Sequence, residues 1–330
     1  MNSIRNYGWN KMRTFSMAAS LCAVSLSLAV SHAQAQTITI NPNQAALLKW
    51  YVNQITSFSS VSYGTGVAFD GEYMWFTGFF TGAIVKVHAN DGTVSGTFNL
   101  GLGGTTGIAF DGANVWVASW GAKTVTKLSA SDGTNLGTFN TGTNPWGVAF
   151  DGANIWVANL GSANVTKLRA RDGALLGTFN AGSGPVNLAF DGANIWVVNT
   201  YSNNVTKLRA SDGVNLGTFT VGSGPWSLAF DGANIWVGNQ YSNNVTKLRA
   251  SDGLAMGTFS FGDYPYGVVF DGTNIWIGNS TSCNLVKVRP NDGAVLGTFP
   301  QGFPSCPLTL GFDGTHIWST GGEDGNASKY

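Results

Sequence analysis

Three features of the sequence predict an all-β fold, a seven-bladed β-propeller with four antiparallel strands per blade. One motif recurs at a nearly constant step, each step divides into four β-prone runs, and the two chain ends carry complementary parts of a single unit.

The motif is FDGANIWV, written identically at 150–157, 190–197 and 230–237, with looser copies beginning at Phe69, Phe110, Phe270 and Phe312. Its aspartates are Asp70, Asp111, Asp151, Asp191, Asp231, Asp271 and Asp313, so the steps are 41, 40, 40, 40, 40 and 42 residues. A fixed period in this range marks a repeat architecture. The step 222–262 reads GSGPWSLAFDGANIWVGNQYSNNVTKLRASDGLAMGTFSFG. SLAF and NIWVGN flank one Asp-Gly turn, NVTKLRA and MGTFSF flank a second, and the loop QYSN joins the pairs. Asp-Gly between β-prone runs is a strong hairpin signal, because glycine accepts the positive φ of a tight turn. Four strands, A to D from the axis outward, make one blade.

The chain ends fit the same scheme. After Asp313 the chain reaches NASKY at 326–330, in register with strand C, and has no strand D. ITSF at 55–58 stands as far before Asp70 as LGTF at 136–139 stands before Asp151. The N-terminal side thus supplies the missing strand, which closes the ring without an open sheet edge. The propeller is expected over 54–330.

Ahead of it, Arg5, Lys11 and Arg13 precede an apolar stretch over 15–30, followed by Ala33-Gln34-Ala35. This pattern reads as a signal peptide over 1–35, cleaved after Ala35, with Met12 an alternative start. Residues 36–53 form a leader or strap. The expected location is a bacterial periplasm or the exterior. Seventeen basic and seventeen acidic residues cancel, and only 10% of residues are charged. That balance leaves no electrostatic basis for nucleic-acid binding. Outside the N-terminus no apolar run approaches the ~20 residues of a membrane span. A monomer is expected.

Five residues after each motif aspartate comes a tryptophan (Trp75, Trp116, Trp156, Trp196, Trp236, Trp276, Trp318). Strand B lies inside the blade, so these rings are expected to fill the wedges between blades rather than to serve as seven ligand platforms. Sixteen residues after each aspartate comes a lysine (Lys86, Lys127, Lys167, Lys207, Lys247, Lys287, Lys329). Each is expected to lay its stem on apolar neighbours and carry its ammonium to solvent. Asp-Gly pairs account for 14 of the 15 aspartates, so turn chemistry explains them better than calcium ligation.

The Asp-Gly turns share one face of the disc; the D–A and B–C loops share the other, which varies more. Its D–A loops carry Trp146, Val186, Trp226 and Tyr266, each after a proline, and should ring the mouth of the central channel. Its B–C loops add Phe79, Phe80, Trp120, Leu160, Tyr201 and Tyr241 farther out, among Asn and Ser. The charges there are Lys123, Asp263, Glu323 and Asp324. Such a surface suits a neutral ligand, a glycan or peptide, or a protein partner; alternatively its aromatics plug the channel. Downstream of the signal, the histidines are His88 and His316 and the glutamates Glu72 and Glu323. All but Glu323 belong to the Asp-Gly face, so no acid–base pair, metal set or cofactor is assigned. Cys283 and Cys306 fall in adjacent loops of the aromatic face, and export favours a disulfide between them.

FDGANIWVAN…NNVTKLRASDG…LGTF, with Gly-Pro before strand A, resembles the bacterial propellers of YVTN, NHL and streptogramin-lyase type. The streptogramin-lyase resemblance implies a seven-bladed ring with a Mg²⁺ site of His and Glu at its central face. Here the equivalent loops carry Asn, Ser, Tyr and Trp, so no catalytic residue transfers. NPNQAALLKWYVN at 41–53 resembles the leader of exported members. The reading is an exported, non-enzymatic binding propeller. The alternatives are a divergent lyase-like or lactonase-like enzyme and a multivalent lectin with repeated inter-blade sites.

Overall fold

A computed structural model describes residues 54–57, 63–101, 103–301, 306–322 and 325–330. The expected signal peptide and leader, and Glu323 and Asp324, lie outside the described residues. Seven four-stranded antiparallel sheets are present. Six are contiguous, over 64–99, 105–140, 145–180, 185–220, 225–259 and 265–300. The seventh combines Thr309–Phe312, Ile317–Thr320 and Asn326–Lys329 with Gln54–Ser57 at its outer edge, Gln54 facing Lys329. The expected closure is therefore observed.

Each strand's composition follows its radial place. Blade 4 shows the pattern, with A at Pro185–Phe190, B at Asn194–Asn199, C at Asn204–Arg209 and D at Asn215–Thr220. Strand B is covered on both sides by neighbouring blades, so NIWVVN is apolar almost throughout instead of alternating. Strand D forms the rim and is largely exposed. At the axis the A strands of adjacent blades converge until some positions admit only glycine. A Cβ on Gly107 would stand 2.4 Å from the Trp146 carbonyl oxygen, and one on Gly147 would stand 2.6 Å from that of Val186.

One side-chain chain repeats around the ring and joins each blade to the next. Asp191 Oδ1 accepts the backbone N–H groups of Ala193 and Asn194, at 2.9 and 2.7 Å. Its Oδ2 accepts the Trp196 indole N–H at 2.8 Å. Trp196 is fully buried, with Phe219 of strand D 5.5 Å away and the Lys207 ammonium 5.0 Å from its ring centre. Lys207 Nζ then donates to the carbonyls of Ala250 and Ser251, at 2.7 and 3.1 Å, in the C–D turn of the following blade. That turn brings Gly253, at φ 78°, so close beneath Phe219 that a Cβ would lie 2.0 Å from the ring.

The tryptophans are thus inter-blade wedges, as expected. All seven indoles bond their aspartates at 2.7–2.8 Å. The lysine expectation is corrected. Lys86, Lys127, Lys167, Lys207 and Lys247 are 5–8% exposed, and their ammonium groups cap carbonyls of the next blade instead of reaching solvent. Lys329 does the same for Ala89 and Asn90, across the closure. A buried ammonium is tolerated because turn carbonyls, with a carboxylate nearby (Lys127 to Asp111, 4.0 Å), replace its water.

Lys287 is the exception. In the seventh sheet strands C and D are not consecutive in the chain, so among the described residues no C–D turn offers it carbonyls. Its nearest charged partner is Asp271 at 3.9 Å, and its side chain is 31% exposed. The seam carries other ties: Tyr330 Oη donates to Gln301 Oε1, and Cys283 is bonded to Cys306 as expected. Cys283 occupies the left-handed B–C loop position that Asn203 and Asn243 fill in the two preceding blades. Those asparagines hold the next blade's loop through the N–H groups of Gly224 and Tyr264, each at 2.9 Å. At the seam a covalent bond replaces that hydrogen bond. Closing a loop of this size is worth about 3 kcal/mol.

Two outcomes follow from these contacts. Lys207→Met removes a charge-assisted bond to buried carbonyls and should lower urea-measured stability by about 1–3 kcal/mol, whereas Lys287→Met should cost under about 1 kcal/mol. Equal losses would contradict the capping role. Burial alone would raise the carboxyls of Asp151, Asp191, Asp231, Asp271 and Asp313, but indole, backbone and side-chain donors outweigh it and hold them below their ordinary value. A depressed folded value gives stability that is complete above the unfolded value and lost as pH falls through the folded one. Circular dichroism should therefore show the unfolding temperature falling below about pH 4. An unchanged temperature down to about pH 2 would contradict it.

Candidate functional site

The D–A loops end at prolines that open strand A, which aims the following residue at the axis. Trp146 and Trp226 meet there with ring centres 5.3 Å apart, although they belong to blades 3 and 5. Val186 of blade 4 is fully buried in the apolar cluster that both rings pack against, so it supports them and has no surface of its own to offer. Tyr266 follows at 5.3 Å from Trp226.

On the other side, Phe79 lies 5.7 Å and Trp120 5.3 Å from Trp146. These B–C residues were expected farther out; they turn inward and join the cap. Phe80, 58% exposed, lies 5.5 Å from Phe79 and 5.3 Å from Tyr63. A connected run of rings therefore caps the channel, with Trp120, Trp146, Trp226 and Tyr266 half-buried.

Tyr63 and Tyr264 are members that sequence reasoning missed. Both have φ near 60°, at the register where other blades place Gly104, Asn144, Gly184 and Gly224. A bulky residue in a left-handed position is the signal that could have exposed them. Burial pushes the Tyr266 phenol well above its ordinary value, assisted by Tyr63 and Tyr264. Burial likewise raises Tyr264, with a contribution from Tyr241, and it raises Tyr201.

The loop amides and hydroxyls have structural employment. Ser162, Ser202, Ser242 and Ser282 accept the N–H groups of Thr143, Ser183, Ser223 and Asp263 at 2.7–3.0 Å. With Asn203 and Asn243 holding the next blades, these groups stiffen the face. Tyr201 and Tyr241 stand out at 66% exposure each. Asp263 is exposed, and its carboxylate makes no hydrogen bond or ion pair among the described residues.

The Mg²⁺ site implied by the resemblance finds no donor set here. Among the described residues no group of three His, Cys, Asp or Glu side chains is placed to hold a metal, and Asp263 is the carboxylate on the aromatic face. His316 bonds Asp313 at 3.2 Å and His88 packs on Tyr73 at 4.5 Å, both on the Asp-Gly face with exposed Glu72. That face also has shallow inter-blade hollows of about 440 and 460 Å³, lined partly by Phe270, Asn274 and Arg289 and by Phe230, Asn194 and Arg249. The buried motif tryptophans cannot act as stacking platforms in repeated sites.

The raised phenols give a direct check on this geometry. Tyr266→Phe should leave the phenolate absorbance of the folded protein unchanged up to about pH 11, and denaturant should reveal one phenol fewer. Loss of one phenol's signal below that pH would contradict the burial of Tyr266.

No family model matches this sequence, and no curated protein sequence matches it. Solved structures do. A streptogramin B lyase superposes with a TM-score of 0.72 at 17% identity, covering 84% of this chain and 98% of that one. The virginiamycin B lyase of Staphylococcus aureus gives 0.73 at 17%, with the same coverage. The hydrazine synthase of Kuenenia stuttgartiensis gives 0.73 at 15%, covering 83% of this chain and 97% of that one. At these identities the likeness is one of fold: the chain is a seven-bladed β-propeller built like streptogramin B lyase.

Proposed function

We propose that the aromatic loop face is a binding surface for a neutral ligand or a protein partner, in an exported protein that performs no chemistry on what it binds. The observation that carries this reading is the connected run of rings from Tyr63 through Phe80, Phe79, Trp146 and Trp226 to Tyr266. It is held rigidly by paired loops and presents ring edges and faces with almost no charge. Aromatic side chains of this kind give large contact area at low entropic cost. The disulfide at the blade 6–7 seam is in keeping with an oxidising compartment.

The lyase reading has less support. A catalytically inactive histidine-to-alanine variant of virginiamycin B lyase has been solved with quinupristin. In this chain His88 and His316 occupy the face opposite the rings. A propeller fold hosts many functions, so the site must decide.

The test is an array of neutral glycans and peptides probed with the secreted protein and two variants. One is Trp146→Ala/Trp226→Ala/Tyr266→Ala; the other, Phe80→Ala/Tyr241→Ala, changes only exposed rings and should remain folded. A ligand retained by the parent, unmodified on recovery, and lost by a variant that circular dichroism shows to be folded is the expected result. Equal retention by all three proteins, or recovery of a cleaved ligand, would contradict the proposal.

A further inference from the structure

Within this proposed binding face, and resting on that reading, we infer that blades 4 to 6 form an oligosaccharide subsite, with Tyr201, Tyr241 and Tyr264 as stacking platforms and Asp263 as a hydroxyl acceptor.

Tyr201 and Tyr241 hold the same register in adjacent blades, and packing does not require a large ring there: blades 2 and 3 place Gly121 and Gly161 at that position. Each ring is nevertheless fixed. Tyr201 lies against Gly184 and Tyr241 against Gly224, so closely that a Cβ on either glycine would fall 2.5 or 2.4 Å from a ring carbon. Both glycines have positive φ, and the backbone N–H groups of Tyr201 and Tyr241 bond the carbonyls of Ser183 and Ser223 at 3.1 Å. One side of each ring is thus seated on backbone while the residue stays 66% exposed. Flat, immobilised rings with an open side are preorganised for stacking, which spares the ligand their ordering entropy. Tyr264 continues the series 5.9 Å from Tyr241.

The chemistry of the surroundings selects the ligand. A pyranose offers a patch of C–H groups to an aromatic face and hydroxyls at its edge, and the exposed Asp263 carboxylate beside Tyr264, unpaired among the described residues, is an acceptor for them. An extended peptide would seek free backbone N–H and C=O groups, but the loops have paired theirs: Gly224 N–H with Asn203, Ser223 N–H with Ser242, Tyr264 N–H with Asn243. A quaternary ammonium would need rings enclosing it on several sides, and these lie open. Equivalent platforms on neighbouring blades fit a chain of sugars better than a monosaccharide.

The experiment is calorimetric titration of the full protein with neutral linear oligosaccharides of increasing length, alongside an array of neutral peptides. The variants are Tyr201→Ala, Tyr241→Ala, Asp263→Asn and, from the other half of the face, Phe80→Ala. Affinity should rise from disaccharide to longer chains; each tyrosine variant should weaken it by about three- to tenfold, Asp263→Asn should weaken it, and Phe80→Ala should weaken it less than either tyrosine variant does. These positions are exposed, and circular dichroism verifies that each variant is folded. A ligand whose affinity is insensitive to Tyr201→Ala and Tyr241→Ala but falls in Phe80→Ala overturns the subsite and leaves the wider face reading standing. No binding to either panel overturns both.

Discussion

The structure depends on a buried ammonium group shared between blades. In six of seven blades a strand C lysine passes over its own blade's tryptophan and caps the turn carbonyls of the next. Most of the remaining contact between blades is apolar and therefore non-directional, with threonine and asparagine hydrogen bonds added near the axis and in the loops. The lysine adds direction. It fixes how far each sheet is rotated from its neighbour, because the ammonium must reach carbonyls and keep the aspartate–indole pair beneath it. Burying the tryptophan, on the order of 200 Å² of surface, supplies the larger energy; the polar chain sets the geometry.

The same constraint explains the seam. Where strands C and D of one blade come from separate parts of the chain, no C–D turn among the described residues receives Lys287. Trp276 is 8% exposed where the other motif tryptophans are fully buried. The disulfide, at the register where asparagines tie the preceding blades, stands where the lysine tie is missing. A rigid ring is also what allows the opposite face to hold aromatic side chains partly in water without collapse. Their positions come from loops whose serines and asparagines are spent on bonding one another.

Most of the fold was legible in the sequence because periodicity reports it directly. Seven aspartates, their glycines, the tryptophan five residues on and the unmatched strands at the ends each map to an observed feature. The lysines were misread for a physical reason: their acceptors are backbone carbonyls some 43 residues away, and backbone atoms leave no mark in a sequence. The face was legible only in part. Trp146, Trp226 and Tyr266 lie in series with ring centres 5.3 Å apart, whereas Val186 is submerged and Phe79 and Trp120 turn inward. Tyr63 and Tyr264 escaped notice because the left-handed conformation that aims them follows from loop geometry rather than composition. The loop amides and hydroxyls, read as part of a surface suited to a neutral ligand, have partners that only three-dimensional placement reveals.

The central functional claim is that ligand meets the aromatic face and not the Asp-Gly face. A crystal structure of the protein soaked with a neutral tetrasaccharide tests this most directly. The account predicts sugar rings over Tyr201 and Tyr241 with hydroxyls at Asp263. Sugar seated in the inter-blade hollows beside Arg249 or Arg289, with the aromatic face bare, would contradict it.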